Sequence, residues 1–356
     1  MEKKKQLEYL NTLRFMAVIF IVFAHFNYQV FGKIMEKNIL DSFFYNKSLW
    51  TYYLLSGFKG KYAVAMMCII SGFLTTMKFR DRKVDFSSFI FKRYIRLMLP
   101  IIFVNTIFVV IRKITGYNYS LHDYLLGILY PGSITINDHL YCIGELFIGN
   151  ILIGIILDII PNKKIQAIIF VLMLPILYKM EKIWVMAILI GALTYAICEY
   201  LKERHIFKYV YILILIPLIW YLPIGTESNK LYLRCAIACA ISIISIYCLP
   251  ILEKIFNCNR LKTIKKSSYS IFVVHGLINT LIGEQLVMNI QRIFSVENLY
   301  ILEIITFIVL LVIDLIISMI INYLIENKLY KKIVTLVFNK NIVKEGEKEW
   351  RKSTYC

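Results

Sequence analysis

Arg14 and His25 fall within one apolar stretch, residues 11–31 (NTLRFMAVIFIVFAHFNYQVF), long enough to cross a bilayer as a helix. Their separation corresponds to about 1100° of helical rotation, so the two side chains share one face to within roughly 20°. Along the axis they stand about 16 Å apart. An ionisable side chain in hydrocarbon is costly, so it normally faces a protein interior or an aqueous cavity and marks a working site. Imidazole, with an ordinary pKa of about 6.5, suits acid–base work. The pair draws a line of polar chemistry into the membrane.

Four further groupings carry chemistry-bearing side chains. Ser71-Gly72-Phe73-Leu74 lies in a second apolar run, where a glycine beside a serine lets another helix approach closely. Arg93 and Arg96, in Lys92-Arg93-Tyr94-Ile95-Arg96-Leu97-Met98-Leu99-Pro100, are three apart and therefore neighbours on one helical face. They sit near Arg80, Arg82 and Lys83, and two readings stand: cationic anchoring at a membrane surface, or a clamp for phosphate oxygens. Asp138-His139-Leu140-Tyr141-Cys142-Ile143-Gly144-Glu145 opens another run, with His139 near the interface and Glu145 about two turns deeper. A carboxylate at that depth requires a partner or a cavity. Ser267-Ser268-Tyr269-Ser270-Ile271-Phe272-Val273-Val274-His275 places His275 two turns inside a later run, as a bond to a neighbouring helix or as a reacting group. Asp314 reads as a helix-to-helix bond. The eight cysteines form no Cys-x-x-Cys and no cluster with zinc spacing, so no metal centre is expected.

Helices must position these groups. The chain is 59% hydrophobic and 18% charged, with mean hydropathy +0.67, against about 45–50% and about 25% for soluble domains. Ten spans are expected, at 11–31, 62–79, 92–111, 138–160, 164–180, 182–200, 205–223, 231–252, 268–290 and 298–327. With the N-terminus inside, inner segments hold 28 Lys and Arg and outer segments 12, which predicts both termini in the cytoplasm. The fold class is thus all-α: a multi-pass bundle over 1–330 among membrane lipids, with a short cytoplasmic tail over 331–356. The net charge of +18 follows from the loops of such a protein, and no basic domain for nucleic acid is present. No cleavable leader is expected, because the first apolar run is too long and lacks a small-residue cleavage site. Outer segments 32–61 and 112–137 are aromatic, with Trp50, Tyr52, Tyr53, Tyr117, Tyr119 and Tyr124, and serve as an interfacial belt or as stacking surfaces for sugar rings.

In this order, the pieces resemble the acyltransferase-3 family of integral membrane acyltransferases. Arg14 and His25 match its Arg, ten residues, His motif. Cys68–Leu74 is similar to Phe-Phe-x-x-Ser-Gly-Phe-Leu, with Met66, Met67 and Cys68 in place of the aromatic pair. Arg93–Pro100 resembles Arg-x-x-Arg-hydrophobic-x-x-Pro, His139-Leu140-Tyr141 stands where many members read His-Leu-Trp, and Ser268–His275 resembles Ser-x-x-Ile-Tyr-x-x-His. The esterase-like domain that some members add is not expected. The resemblance implies about ten membrane helices, an acyl-coenzyme A donor (usually acetyl), and a hydroxyl acceptor on an extracytoplasmic sugar or cell-surface polymer.

On that footing His25 is expected to be the base for the acceptor hydroxyl, or the transient carrier of the acyl group. Arg93 and Arg96 would hold the coenzyme A phosphates, Arg14 would line the way in, and Glu145 would orient His25 or the acceptor. Ser71, His139, Tyr269 and His275 are supporting residues. Acetyl-coenzyme A is a donor substrate, with no permanently bound cofactor, and the acceptor is a surface glycan or its lipid-linked precursor at the plasma membrane, in a bacterium. The rival reading is a flippase for a lipid-linked sugar, which would also need intramembrane polar residues.

Overall fold

The computed structural model describes residues 2–31, 58–81, 84–130, 133, 135–137, 140–204, 229–248, 262–295 and 299–338. Among them no strand occurs. The helices are α1 Glu2–Phe26, α2 Phe58–Asp81, α3 Phe86–Ile114, α4 Leu121–Leu129, α5 Tyr141–Ile159, α6 Lys163–Lys179, α7 Ile183–Arg204, α8 Asn229–Cys248, α9 Lys262–Lys266, α10 Ser268–Ile278, α11 Glu284–Phe294, α12 Leu299–Ile321 and α13 Tyr330–Val337. Wide π turns extend α1 over Asn27–Phe31, link α10 to α11 over Asn279–Gly283, and link α12 to α13 over Asn322–Leu329.

Seven of the described helical runs are long and apolar enough to cross a membrane: Tyr9–Phe26, Gly60–Arg80, Phe86–Ile114, Tyr141–Ile159, Ile183–Leu201, Ser268–Phe294 and Ile301–Val337. They coincide with seven of the ten expected spans. The expected span 164–180 is the 17-residue helix α6, and 231–252 contains the shorter apolar helix Tyr232–Tyr247. The expected span 205–223 lies outside the described residues. The last helical run continues through Asn322–Leu329 to Val337.

Helix α2 is the hub, packed against α1, α5, α7 and α8. Gly72 is what allows this. A Cβ there would overlap the Ile188 carbonyl of α7, and one at Gly191 would overlap the Ile69 carbonyl of α2. Backbones this close are the packing mode expected where lipid tails supply no hydrophobic drive between helices. Around the hub, α10 packs on α1, α3 and α12. Asp85 caps α3 by accepting the Ser88 N–H at 2.8 Å, which satisfies one donor of the first turn.

Helix α12 is built inside out relative to a soluble helix. Ile304, Ile308, Val312, Ile316 and Ile320 are exposed at four-residue spacing, whereas Thr306, Asp314 and Ser318 are buried. An apolar ridge facing outward and polar groups facing protein is the arrangement that hydrocarbon surroundings favour.

Candidate functional site

His25 and His275, 250 residues apart in sequence, meet where α1 crosses α10: His25 Nδ1 lies 2.9 Å from His275 Nε2, with ring centroids 5.1 Å apart. His275 is fully buried, and its Nδ1 lies 3.3 Å from the Ile271 carbonyl oxygen. A carbonyl only accepts, so Nδ1 of His275 carries the hydrogen and its Nε2 is the acceptor in the neutral ring. His25 then donates from Nδ1, which leaves Nε2 of His25 as its basic nitrogen. Two imidazolium rings could not share this bond, so at least one ring of the pair is neutral.

Toward the start of α1 and α10, cations converge. Arg93 Nη2 donates to Ser71 Oγ at 2.5 Å, and Asn150 Nδ2 donates to the same oxygen at 3.0 Å. Thr75 also donates to the Asn150 side chain, so α2, α3 and α5 are knotted through a fully buried amide. The charges of Arg14 and Arg96 both act on Arg93 and on Glu326. Ser270 donates to Glu326 Oε1, which ties the π turn after α12 to α10. The Tyr269 phenol, within the field of Arg93, Arg96 and Glu326, donates to the Leu97 carbonyl at 2.7 Å, in the turn that precedes Pro100. The bond ties α10 to α3 one residue beyond Arg96, whose carbonyl loses its helical donor to Pro100. Lys265 Nζ donates to Thr12 Oγ1 at 2.7 Å at the same end. Among the described residues Arg14 and Arg96 thus share the fields of Arg93 and Glu326, and guanidinium forks of this kind hold phosphate oxygens.

Glu145 has a different setting. Its Oε2 accepts the Trp184 N–H at 3.0 Å and the Val185 N–H at 3.2 Å, so it closes the first turn of α7, where the helix dipole favours negative charge. His139 lies outside the described residues. The fold thus brings together His25 with His275, and Arg14, Arg93 and Arg96 with Ser71 and Tyr269, while Glu145 joins α5 to α7. Sequence reasoning missed Asn150 and Glu326. Asn150 had a usable signal, an amide inside an apolar run, whereas Glu326 stands among the polar residues that end the last span.

Comparison with curated proteins finds no match, and neither does comparison with solved structures. A family model described as an acyltransferase domain matches residues 7–323, a range that takes in both histidines, all three arginines and the Ser71-Gly72 contact. A multi-pass helical bundle, a histidine pair in its interior and a match over nearly the whole chain agree: this protein belongs to the acyltransferase-3 family and is a membrane acyltransferase.

Proposed function

We propose that the protein transfers an acetyl group from acetyl-coenzyme A, bound at the arginine end, to a hydroxyl of a surface polysaccharide or its lipid-linked precursor at the opposite end, in a bacterial plasma membrane. The observation that carries this reading is the hydrogen-bonded pair His25–His275, with His25 further along α1 than Arg14. Arg93, Arg96 and Arg14 hold the donor phosphates. From Arg14 to His25 is about 16 Å, comparable with the reach of a pantetheine arm, so the thioester arrives at the imidazole while the nucleotide stays at the mouth.

His25 Nε2 takes the proton of the acceptor hydroxyl as its oxygen attacks the thioester carbonyl carbon. The C–S bond then breaks, the acetyl group stays on oxygen as an ester, and the proton passes from His25 to the departing thiolate. His275 keeps His25 in the tautomer that this needs, as a positioning residue. In an alternative order of events, His25 Nε2 itself takes the acetyl group and passes it on.

The test is coenzyme A release together with ester formation by membranes containing the protein. His25→Ala should lower transfer by about 10²–10⁴-fold, the range typical for loss of a general base. Full transfer in that variant would end the assignment, and a protein that moves sugar lipids without releasing coenzyme A would be a flippase.

A further inference from the structure

Sequence places 112–137 on the outer surface, but the structure folds this segment back along α3. Phe108 and Tyr119 have ring centroids 6.4 Å apart, and Thr106 Oγ1 lies 3.1 Å from the Tyr124 hydroxyl oxygen. Asn105 Nδ2 donates to the Gly127 carbonyl at 2.9 Å, and the Tyr94 hydroxyl donates to the Leu129 carbonyl at 2.8 Å. Residues 119–129 thus run antiparallel to α3, and their contacts span about 21 Å of that helix, down to the neighbour of Arg93.

The chain then turns back inside α4. The Ser133 N–H donates to the Tyr130 carbonyl at 3.1 Å, and Thr135 Oγ1 donates to the Asp123 carbonyl at 3.0 Å. Ile136 packs on Gly127, where a Cβ would stand 2.5 Å from Ile136 Cδ1. Asn137, only 1% exposed, donates from Nδ2 to the Val273 carbonyl of α10 at 3.1 Å. Irregular backbone at membrane depth is tolerated only where it is buried in protein or lines a cavity, and this segment does both.

Residues 136 and 137 lie across α10 at the position of His275. Asn137 bonds Val273, two residues before that histidine, and Ile136 lines a cavity of about 480 Å³ together with Gly276, the residue after it. His275 has no exposed surface, whereas His25 is only half-buried. The pair is therefore shut off on the His275 side and open at His25. This matters because a base that takes a proton from a hydroxyl can take one from water as well. The water oxygen would attack the thioester carbonyl carbon, the C–S bond would break with the proton passing to sulfur, and acetate and free coenzyme A would leave. Excluding water is how an enclosed site prevents that loss.

We propose that α4 with residues 133 and 135–137 forms a wall that keeps water in the cavity away from the histidine pair, and that Asn137 is the positioning residue that holds this wall against α10. The inference rests on the acyl-transfer reading and adds how the thioester is spared hydrolysis.

The test measures acetate release from acetyl-coenzyme A, with no acceptor present, by the full-length protein in proteoliposomes. The wild type should release acetate slowly. Asn137→Leu keeps the side-chain volume but loses the donor, and should raise release about tenfold, the population shift that one lost hydrogen bond allows. Asn137→Gln, which keeps an amide donor, should return most of the way to the wild-type rate. Ile136→Ala thins the wall without touching that bond, should also raise release, and stands in should Asn137→Leu fail to fold. A damaged fold lowers every rate, so a gain of hydrolysis separates positioning from packing. Unchanged or lower release in Asn137→Leu and Ile136→Ala would overturn the wall. Adding His25→Ala to Asn137→Leu should return release to background, and release that persists there would instead overturn the assignment of His25.

Discussion

At the scale of single residues, the hydrogen-bond direction between His25 and His275 follows from one carbonyl. Ile271 places a hydrogen on Nδ1 of His275, and with that ring neutral its Nε2 accepts from Nδ1 of His25. His275→Ala should therefore cost transfer nearly as much as His25→Ala, whereas His275→Gln, whose side-chain oxygen can accept the His25 hydrogen, should recover part of the rate. A rate ratio between those two His275 variants measured with saturating donor isolates positioning from packing. Equal losses would mean that His275 is only filling space. Arg93 behaves differently because Ser71 and Asn150 hold it in place. Replacement of Arg93 and Arg96 by Gln should raise KM for acetyl-coenzyme A more than KM for the acceptor. Equal effects would assign the arginines to membrane anchoring. Glu145 provides a contrast, since its visible work is to cap α7. Glu145→Gln should lower the melting temperature and leave kcat near its original value, and a fall in kcat at unchanged melting temperature would place the carboxylate in the chemistry.

At the scale of elements, stability depends on close backbone approach and on capping. Gly72→Ala inserts a methyl where the α7 backbone lies, so α2 and α7 must separate. Overpacking of this kind costs about 1–3 kcal/mol, which should appear as a lower thermal midpoint in detergent. Asp85→Ala removes the α3 cap at a cost of about 1 kcal/mol. The Ser88 hydroxyl and N–H hold the Asp85 carboxyl below its usual value. A depressed carboxylate contributes stability above the unfolded pKa, near 3.9, and loses it as pH falls through the lower folded value. The difference between wild type and Asp85→Ala should thus be full at neutral pH and shrink in strong acid, where the neutral carboxyl still accepts the Ser88 N–H but no longer carries charge.

At the scale of the whole molecule, α1, α3 and α10 run in the same sense through the site. On one side of the histidine pair lie Arg14 of α1, Arg93 of α3 and the Tyr269 phenol of α10, and on the other Gln29, Arg112 and Asn279 line one cavity of about 480 Å³. A reaction organised this way is vectorial. In proteoliposomes of known orientation, ester should form when acetyl-coenzyme A is on the arginine side and acceptor on the other, and should be absent when the two are exchanged.

Much of this was legible in the residues alone. Hydropathy located seven helices that the structure describes, because spanning length is a local property of about twenty residues. The shared face of Arg14 and His25, and that of Arg93 and Arg96, followed from the helical period. Tertiary structure alone decided that His25 meets His275, that Arg93 is held through Ser71 by Asn150, and that Glu145 caps α7. The reason is physical. In a chain this apolar nearly every helix face is greasy, so periodicity does not say which face turns inward. Pairing between distant helices is set instead by small residues such as Gly72 and Gly191, and by the few polar groups that must find one another away from lipid.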